Sequence, residues 1–122
     1  MLGFMYYFGR IGKEETELLL EKHGVDGSFL LRDSQSVRGA YCLCVRKAPF
    51  VHTYRIETSS KGWAVETINR EKPQWFKSLD KLIECYRNRT PQNMVPLLYP
   101  LEKTHLIKEE RRNTEQLVYL EI

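Results

Sequence analysis

The feature that most constrains the fold is a series of strand-like segments enclosed between two helical patterns. The first helical pattern covers Lys13–His23, where strong helix formers precede Gly24, a residue type that commonly ends helices. The second starts near Ser78 and has apolar residues at the spacing of one helix face, namely Leu79, Leu82, Ile83 and Tyr86. Both helices therefore need a common apolar surface on which to pack.

The segments between the helices supply that surface. Apolar or alternating runs predict strands at 28–32, 40–45 and 51–56, and a weaker strand at 63–67. Successive strands with short connections form antiparallel meanders. The order predicts an α+β fold in which a central antiparallel β-sheet is flanked by one α-helix on each face.

Length and charge limit the organisation and the partners. A chain of 122 residues has room for one domain and a short tail, which we place at 4–102 and 103–122. Nineteen Lys and Arg residues against sixteen Asp and Glu residues give a net charge of only +3. We therefore expect no nucleic-acid partner, because such proteins present a denser basic surface.

The apolar runs and the cysteines indicate the compartment. No run approaches the roughly 20 apolar residues that span a bilayer, so we expect no membrane insertion. The three cysteines lack a C-x-x-C pair, which argues against a disulfide framework and against a zinc site. We expect a cytoplasmic monomer that holds no metal and no cofactor.

Arg32 is the residue that most needs a functional explanation. It directly follows the apolar run Phe29-Leu30-Leu31, and an unpaired guanidinium beneath the surface is costly. The next residues, Asp33-Ser34-Gln35-Ser36, supply hydroxyls and backbone N–H groups in a turn, which is the composition of an anion-binding nest. Lys13 and Arg55 are further cations that the fold can bring to the same place. The pattern indicates a phosphate-binding site.

These segments together resemble a Src-homology-2 (SH2) domain. The resemblance covers about 6–100 and rests on Tyr7-Phe8-Gly9-Arg10-Ile11, G-S-F-L-L-R-D-S, Ala40-Tyr41-Cys42-Leu43, Thr53-Tyr54-Arg55 and the second helix. The runs Y-C-L-C-V and P-L-L-Y-P-L-E-K are most similar to the small single-domain adaptors of the SLAM-associated protein family. The resemblance implies a non-enzymatic adaptor that binds phosphotyrosine motifs of the type Thr-Ile-Tyr-x-x-Val/Ile in receptor tails.

The resemblance also implies roles for individual residues. Arg32 matches the phosphate-binding arginine at the pocket floor, and the other predicted phosphotyrosine contacts are Ser34, Ser36, Lys13, Arg55, Cys42 and Thr53. Glu17 matches a position that meets residues before the tyrosine. The residues matched to an apolar pocket for the third residue after the tyrosine are Phe50, Val51, Ile83 and Met94. Whether the ligand must be phosphorylated stays open.

Two further predictions concern surfaces outside this site. Lys77 follows Trp75-Phe76 where some relatives have an arginine that recruits a Src-family kinase through its Src-homology-3 domain, so we expect weak binding there. Tyr119 precedes Leu120-Glu121-Ile122, a sequence that an SH2 domain could recognise once the tyrosine is phosphorylated. The alternative for Lys77 is an ordinary solvated lysine without a partner protein. The alternative for Tyr119 is that the apolar terminus around it packs on the domain.

Two other functions stay open at this stage. Similar domains begin some inositol-phosphatase chains, so the sequence could be the SH2 portion of a larger signalling enzyme. An enzymatic activity of the domain itself is disfavoured, because the sequence has no recognisable nucleophile–base set, metal cluster or phosphate-binding loop of the G-x-x-x-x-G-K type.

Overall fold

The computed structural model describes residues 4–66, 72–91, 93–103 and 106. Two helices enclose the main strands in sequence order. The elements are α1 (Lys13–His23), β1 (Ser28–Asp33), β2 (Tyr41–Lys47), β3 (Phe50–Ser59), β4 (Gly62–Val65), α2 (Leu79–Asn88) and β5 (Tyr99–Pro100). The predicted α+β fold is confirmed.

Helix α1 has the predicted bounds, and crowding by the backbone explains why the residue after it is a glycine. The Gly24 N–H donates to the Leu20 carbonyl at 3.0 Å, and a Cβ at Gly24 would lie 2.7 Å from that oxygen. The φ of Gly24 is −107°, so a close approach, and not a left-handed backbone, requires glycine here. Arg46 of β2 completes this end by donating to the carbonyls of Leu20, Glu21 and Gly24.

Helix α2 begins one residue after Ser78, whose side chain accepts a hydrogen bond from the Lys81 N–H at 3.2 Å. This contact satisfies one of the N–H groups that a helix start leaves without a partner. The predicted apolar face is buried, as expected from its spacing, and consists of Leu79, Leu82, Ile83 and Tyr86.

The five strands form one sheet in the order β4-β3-β2-β1-β5. The neighbours β1 to β4 pair antiparallel, as predicted. The sequence did not predict β5, which adds a short parallel edge to β1. The segment before α1 also runs along this edge of β1, where the Phe8 N–H donates to the Leu31 carbonyl and the Leu31 N–H donates to the Tyr6 carbonyl.

The predicted strands differ from the observed ones mainly at their ends. β2 extends to Lys47, beyond the predicted limit at Val45, and β3 extends from Phe50 to Ser59. Their hairpin pairing continues past the most apolar residues, because backbone hydrogen bonds do not require apolar side chains. β4 ends at Val65, and the predicted end at Thr67 lies outside the described residues.

The alternation of side chains along β1 divides the core between the two faces. Phe29 and Leu31 belong to a main cluster with residues of α2, whereas Leu30 belongs to a second cluster with Leu20 of α1. Leu106 is buried in the second cluster, and residues 107–122 lie outside the described part of the chain. Each face of the sheet therefore has its own helix and its own apolar core.

Candidate functional site

The candidate site begins with Arg32 near the end of β1. By alternation Arg32 shares the α1 face with Leu30, and only 6% of the residue is exposed. Its Nη1 donates to the Asp33 carbonyl at 3.2 Å. Its Nε is buried without a hydrogen-bond partner among the described residues. A buried donor in this state is a strong indication that a ligand completes the site.

Two neighbouring strands place further predicted residues beside Arg32. Strand pairing aligns Arg32 with Cys42, and Cys42 with Arg55, so the three form a row across the sheet. Cross-strand neighbours lie roughly 4.5–5.5 Å apart, which separates the two arginine backbones by about 10 Å. The row therefore holds a small, buried cysteine between two cations.

The β1–β2 loop closes over one end of this row. The Ser34 and Ser36 hydroxyls lie 3.5 Å apart, and Arg55 Nη2 donates to Ser36 Oγ at 2.9 Å. Ser34 Oγ also accepts from the Val37 N–H at 3.1 Å. Arg55 Nη1 lies 3.6 Å from Glu66 Oε2, so its charge is shared between the loop and a carboxylate.

The loop also presents backbone donors. Within the described part of the chain, the N–H groups of Gln35 and Ser36 donate to no protein acceptor. A Cβ at Gly12 would lie 3.1 Å from Gln35 Nε2, which places the loop against the start of α1. Gly12 supplies no side-chain cap to that helix. Free amides, hydroxyls and two arginines together form a surface suited to an anion with several oxygens.

Burial controls the chemistry of Cys44, which lies one pair further along the same face. The Cys44 Sγ is 3.8 Å from the exposed Thr53 Oγ1. Burial raises the pKa of the Cys44 thiol to about 11, although the Arg32 charge acts in the opposite direction. The thiol is therefore protonated at neutral pH and is a packing group, not a nucleophile.

Lys13 and Glu17 line a neighbouring groove on the same side of the sheet. Both belong to α1, and the groove has a volume of about 540 Å³ between this helix and the β2–β3 hairpin. Phe50 and Val51 form part of its other wall, and 65% of Phe50 is exposed. Lys13 is exposed and makes no hydrogen bond to the loop.

The structure does not bring the four predicted apolar-pocket residues together. Val51 packs against the second cluster on the α1 face, whereas Ile83 is buried in the main cluster and Met94 packs against it. The reason is the period-two alternation of β3, which places Val51 with Thr53 and Arg55. These contacts separate Val51 from Ile83 and Met94, and the common pocket of all four residues stays a prediction.

Tyr54 is a β3 residue near Met94 that no local sequence pattern singled out. It packs against the main cluster near Met94, and its hydroxyl accepts a hydrogen bond from the Val95 N–H at 3.0 Å. Its position in β3, on the face opposite Thr53, follows from the same alternation that separates Val51 from Ile83. The period-two alternation of β3, applied strictly to the sequence, would have placed Tyr54 on the face opposite Thr53.

The remaining predicted positions lie outside this site. Lys77 is exposed and follows Phe76, whose N–H and carbonyl pair with those of Trp63 at 2.8 Å. Tyr119 lies outside the described residues. In the described ranges, no group of three or more His, Cys, Asp or Glu side chains could hold a metal ion, and no helix is long and apolar enough to cross a membrane.

Comparison with known proteins identifies the family. The SH2 domain family matches residues 6–86 of this chain. The human protein SH2 domain-containing protein 1B is 43% identical over 100 residues, which cover 81% of this chain and 76% of that protein. The mouse protein SH2 domain-containing protein 1B2 is 40% identical over 116 residues, which cover 93% of this chain and 88% of that protein.

A second group of relatives matches through a small part of much longer proteins. The zebrafish (Danio rerio) phosphatidylinositol 3,4,5-trisphosphate 5-phosphatase 2A is 44% identical over 94 residues, which cover 76% of this chain but only 7% of the phosphatase. The chain belongs to the SH2 domain family, whose function is phosphotyrosine binding, and it is similar to small SH2 adaptors over most of its length.

Proposed function

We propose that this chain is a non-enzymatic adaptor that binds phosphotyrosine segments of SLAM-family immune-receptor tails with Arg32 as the main phosphate contact. The observation that carries the proposal is the Arg32 Nε, which is buried and has no partner among the described residues. A phosphate would satisfy this donor and offset the charge of the guanidinium. Among phosphorylated side chains, tyrosine is long enough to reach a guanidinium that is 6% exposed.

The neighbouring groups have complementary tasks in this proposal. Ser34, Ser36 and the free N–H groups of their loop bind the outer phosphate oxygens, and Arg55 lies at the rim. Cys42 and Thr53 pack beside the ring of the tyrosine, where the row between the two arginines leaves room for it. Lys13 supplies a long-range positive charge from the start of α1, without the planar fork of an arginine.

The decisive experiment removes Arg32 and measures binding to a Thr-Ile-phosphoTyr-x-x-Val peptide by calorimetry. Arg32→Ala is expected to cost about 2–5 kcal/mol of binding free energy, as for other desolvated charged contacts. The control is Lys61→Ala, which removes an exposed cation from the β3–β4 turn and should leave affinity unchanged. Affinity of Arg32→Ala within threefold of the parent would contradict the proposal.

Residues on the two faces select different parts of the peptide. We assign the groove with Glu17, Phe50 and Val51 to residues before the phosphotyrosine. We assign the third residue after it to the apolar surface near Tyr54, Ile83 and Met94. An aliphatic residue is expected at this third position, because an acidic one would lack a partner there. Equal binding of Ile and Asp on a peptide array would exclude this assignment.

The need for phosphorylation is a separate question that the Glu17 groove raises. If contacts before the tyrosine supply enough affinity, the unphosphorylated peptide also binds. Paired titrations with phosphorylated and unphosphorylated Thr-Ile-Tyr peptides measure this directly, and Glu17→Ala should weaken the unphosphorylated peptide more than the phosphorylated one.

Lys77 is the proposed docking point for the Src-homology-3 domain of a Src-family kinase. The side chain is exposed beside the Trp63–Phe76 pairing, so a partner can reach it. Lysine lacks the bidentate geometry of arginine, and we therefore expect weak binding. Calorimetry should show a Kd above about 1 μM. Tighter binding would contradict this prediction, and Lys77→Arg should strengthen the contact.

Tyr119 is proposed as a phosphorylation site that either recruits another SH2 protein or competes with receptor peptides for Arg32. A tethered phosphotyrosine competes at an effective concentration of order millimolar when its linker spans the distance. Phosphorylated protein is compared with Tyr119→Phe in receptor-peptide titrations and in capture of isolated SH2 domains. No difference in either measurement would remove this role.

A second candidate function is the SH2 portion of a larger inositol phosphatase. The specific observation in its favour is the 44% identity to the zebrafish phosphatase. The extent of the native open reading frame distinguishes the two candidates. We further propose that the protein acts as a monomer in the cytoplasm, which size-exclusion chromatography with light scattering and cell fractionation test separately.

A further inference from the structure

A second cavity lies beside the β1–β2 loop, and Arg32 does not line it. Its volume is about 600 Å³, and its lining includes loop residues together with Tyr7, Asp33 and Tyr41. Asp33 and Tyr41 form a cross-strand pair that alternates with the Arg32–Cys42 pair, so they face the α2 side of the sheet. The cavity and the candidate site around Arg32 are therefore on opposite faces and share only the loop.

Two uncommitted arginines give this cavity a positive character. Arg10 and Arg38 both line it and are both exposed. Neither forms an ion pair within the described part of the chain. The one acidic residue of the lining is Asp33, whose Oδ1 accepts a hydrogen bond from the Tyr7 hydroxyl at 2.6 Å. The cations thus outnumber the carboxylates, and the carboxylate already has a donor.

The Tyr7 hydroxyl keeps its proton in this arrangement. Its hydrogen bond to Asp33 raises the pKa of Tyr7 to about 12, while the nearby charge of Arg10 acts in the opposite direction. Because the Arg10 charge lowers the pKa of Tyr7, Arg10 lies near this hydroxyl. At neutral pH the Tyr7 phenol is therefore neutral, and it shares the cavity with two arginines and with the Asp33 side chain to which it donates.

The walls of the cavity are aromatic as well as polar. The rings of Tyr7 and Tyr41 meet edge to face, with centroids 5.9 Å apart and planes at 81°. Ser34 and Ser36 also line the cavity, but the Ser36 hydroxyl accepts from Arg55 and the Ser34 hydroxyl accepts from the Val37 N–H, so these hydroxyls belong to the site around Arg32. Aromatic edges favour contact with another ring, and a pair of arginines favours a phosphate. An ion without a ring would leave the aromatic wall unused.

We propose that this cavity is a second phosphotyrosine site, in which Arg10 and Arg38 bind the phosphate and Tyr7 and Tyr41 contact the ring. The site does not depend on Arg32, and it would let one chain bind a tail that contains two phosphotyrosines. A doubly phosphorylated ligand would then gain affinity through the second contact.

The test uses phenyl phosphate as the probe and Arg32→Ala protein as the receptor, with amide chemical shifts followed by NMR. Saturable shifts are expected at the residues around Tyr41 and Arg38. Arg10→Ala and Arg38→Ala, each added to Arg32→Ala, should weaken binding about tenfold. Lys61→Ala is the control, since this exposed lysine does not line the cavity.

The outcomes separate this site from the one at Arg32. Absence of saturable binding to Arg32→Ala, or binding that is unchanged by Arg10→Ala and Arg38→Ala, would overturn the proposal. Inorganic phosphate binding as tightly as phenyl phosphate would overturn the assignment to phosphotyrosine. Binding of phosphoinositide vesicles by a protein that does not bind phenyl phosphate would also overturn the assignment to phosphotyrosine. If Arg32→Ala fails to fold, the parent saturated with a singly phosphorylated peptide replaces it, and one phenyl phosphate is expected to bind in addition to the peptide.

Discussion

The two faces of the sheet are equally buried near β1 but differ in what they bury. On the α2 face, Phe29 and Leu31 are fully buried among apolar side chains. On the α1 face, Leu30 is buried in the same way, but the next residue on that face is Arg32, which is 6% exposed and whose Nε has no hydrogen-bond partner in the described part of the chain. Strand β1 thus contributes well-packed apolar side chains to the α2 face. To the α1 face it contributes an arginine whose hydrogen bonding is incomplete.

This difference separates stability from binding. A buried apolar residue contributes its full transfer free energy to folding, at about 25 cal/mol per Å². A buried cation without a partner costs free energy until a ligand arrives. Substitutions on the α2 face should therefore change stability, whereas those at Arg32 should change binding.

The largest effect is expected from Leu31→Ala on the α2 face. Leu31 is fully buried in the main cluster, so its truncation leaves a cavity between the sheet and α2. The free energy of unfolding should fall by about 2–5 kcal/mol. Urea denaturation measures this loss, and phosphopeptide affinity of the folded fraction should stay unchanged. A loss below about 1 kcal/mol would show that the α2 face tolerates the cavity by collapse.

Arg46→Met is expected to have a smaller effect, because Arg46 is a cation of the α1 face that already has its partners. It donates to the carbonyls of Leu20, Glu21 and Gly24 at the end of α1, where helix carbonyls run short of intrahelical partners, and the Leu20 carbonyl also accepts from the Gly24 N–H. Loss of these charged hydrogen bonds should lower the free energy of unfolding by about 2 kcal/mol, partly offset by water. Lys47→Met is the control on the neighbouring exposed residue. Equal stability of the two variants would show that solvent replaces Arg46 completely.

Arg32→Leu should have the opposite sign. The substitution replaces a buried cation, whose Nε has no hydrogen-bond partner among the described residues, by an apolar side chain beside Leu30 and Cys44, and it removes the hydrogen bond to the Asp33 carbonyl. We expect the free energy of unfolding to stay unchanged or to rise by about 1 kcal/mol. Saturating phosphopeptide should raise the melting temperature of the parent but not that of the variant. A clear loss of stability in the ligand-free variant would mean that Arg32, like Leu31, is a structural residue. The division between stability on the α2 face and binding on the α1 face would then be wrong.

Most of the fold could be predicted from the sequence, because local periodicity determines it. The bounds of α1 and the buried face of α2 follow from residue spacing. β5 could not be predicted, since its two residues have no period of their own and are held by pairing with Ser28 and Phe29. Strand ends were also imprecise, because hairpin hydrogen bonds extend beyond the apolar runs.

The candidate site was predictable where one strand defines it and less so where several elements meet. Arg32 could be predicted as a site residue because a charged side chain directly follows an apolar, buried strand and needs a partner. The split between Val51 and Ile83 depends on which face of β3 each element packs against. The pairing of Tyr7 with Asp33 joins residues 26 positions apart, so no local pattern indicates it.

The smallest expected effect on stability is that of the Tyr7–Asp33 hydrogen bond, at the end of β1. The bond raises the pKa of Tyr7 from an ordinary value of 10.0 to about 12, so the folded state resists loss of the phenol proton. The stabilisation is therefore complete below about pH 10 and is lost as the pH rises toward about 12. Because the phenol is only partly buried and solvent screens the interaction, we expect less than about 1 kcal/mol.

Comparison of the parent with Tyr7→Phe isolates this contribution, because the pKa of Tyr6, which burial raises to about 12, is common to both proteins. The parent should be slightly more stable at about pH 9, and the difference should shrink by about pH 11 as the Tyr7 phenol ionises. Absorbance near 295 nm should show one phenol fewer titrating at high pH in the variant. A stability difference that is independent of pH would mean that the Tyr7 ring, through its contact with Tyr41, stabilises this margin and that the hydrogen bond adds nothing measurable.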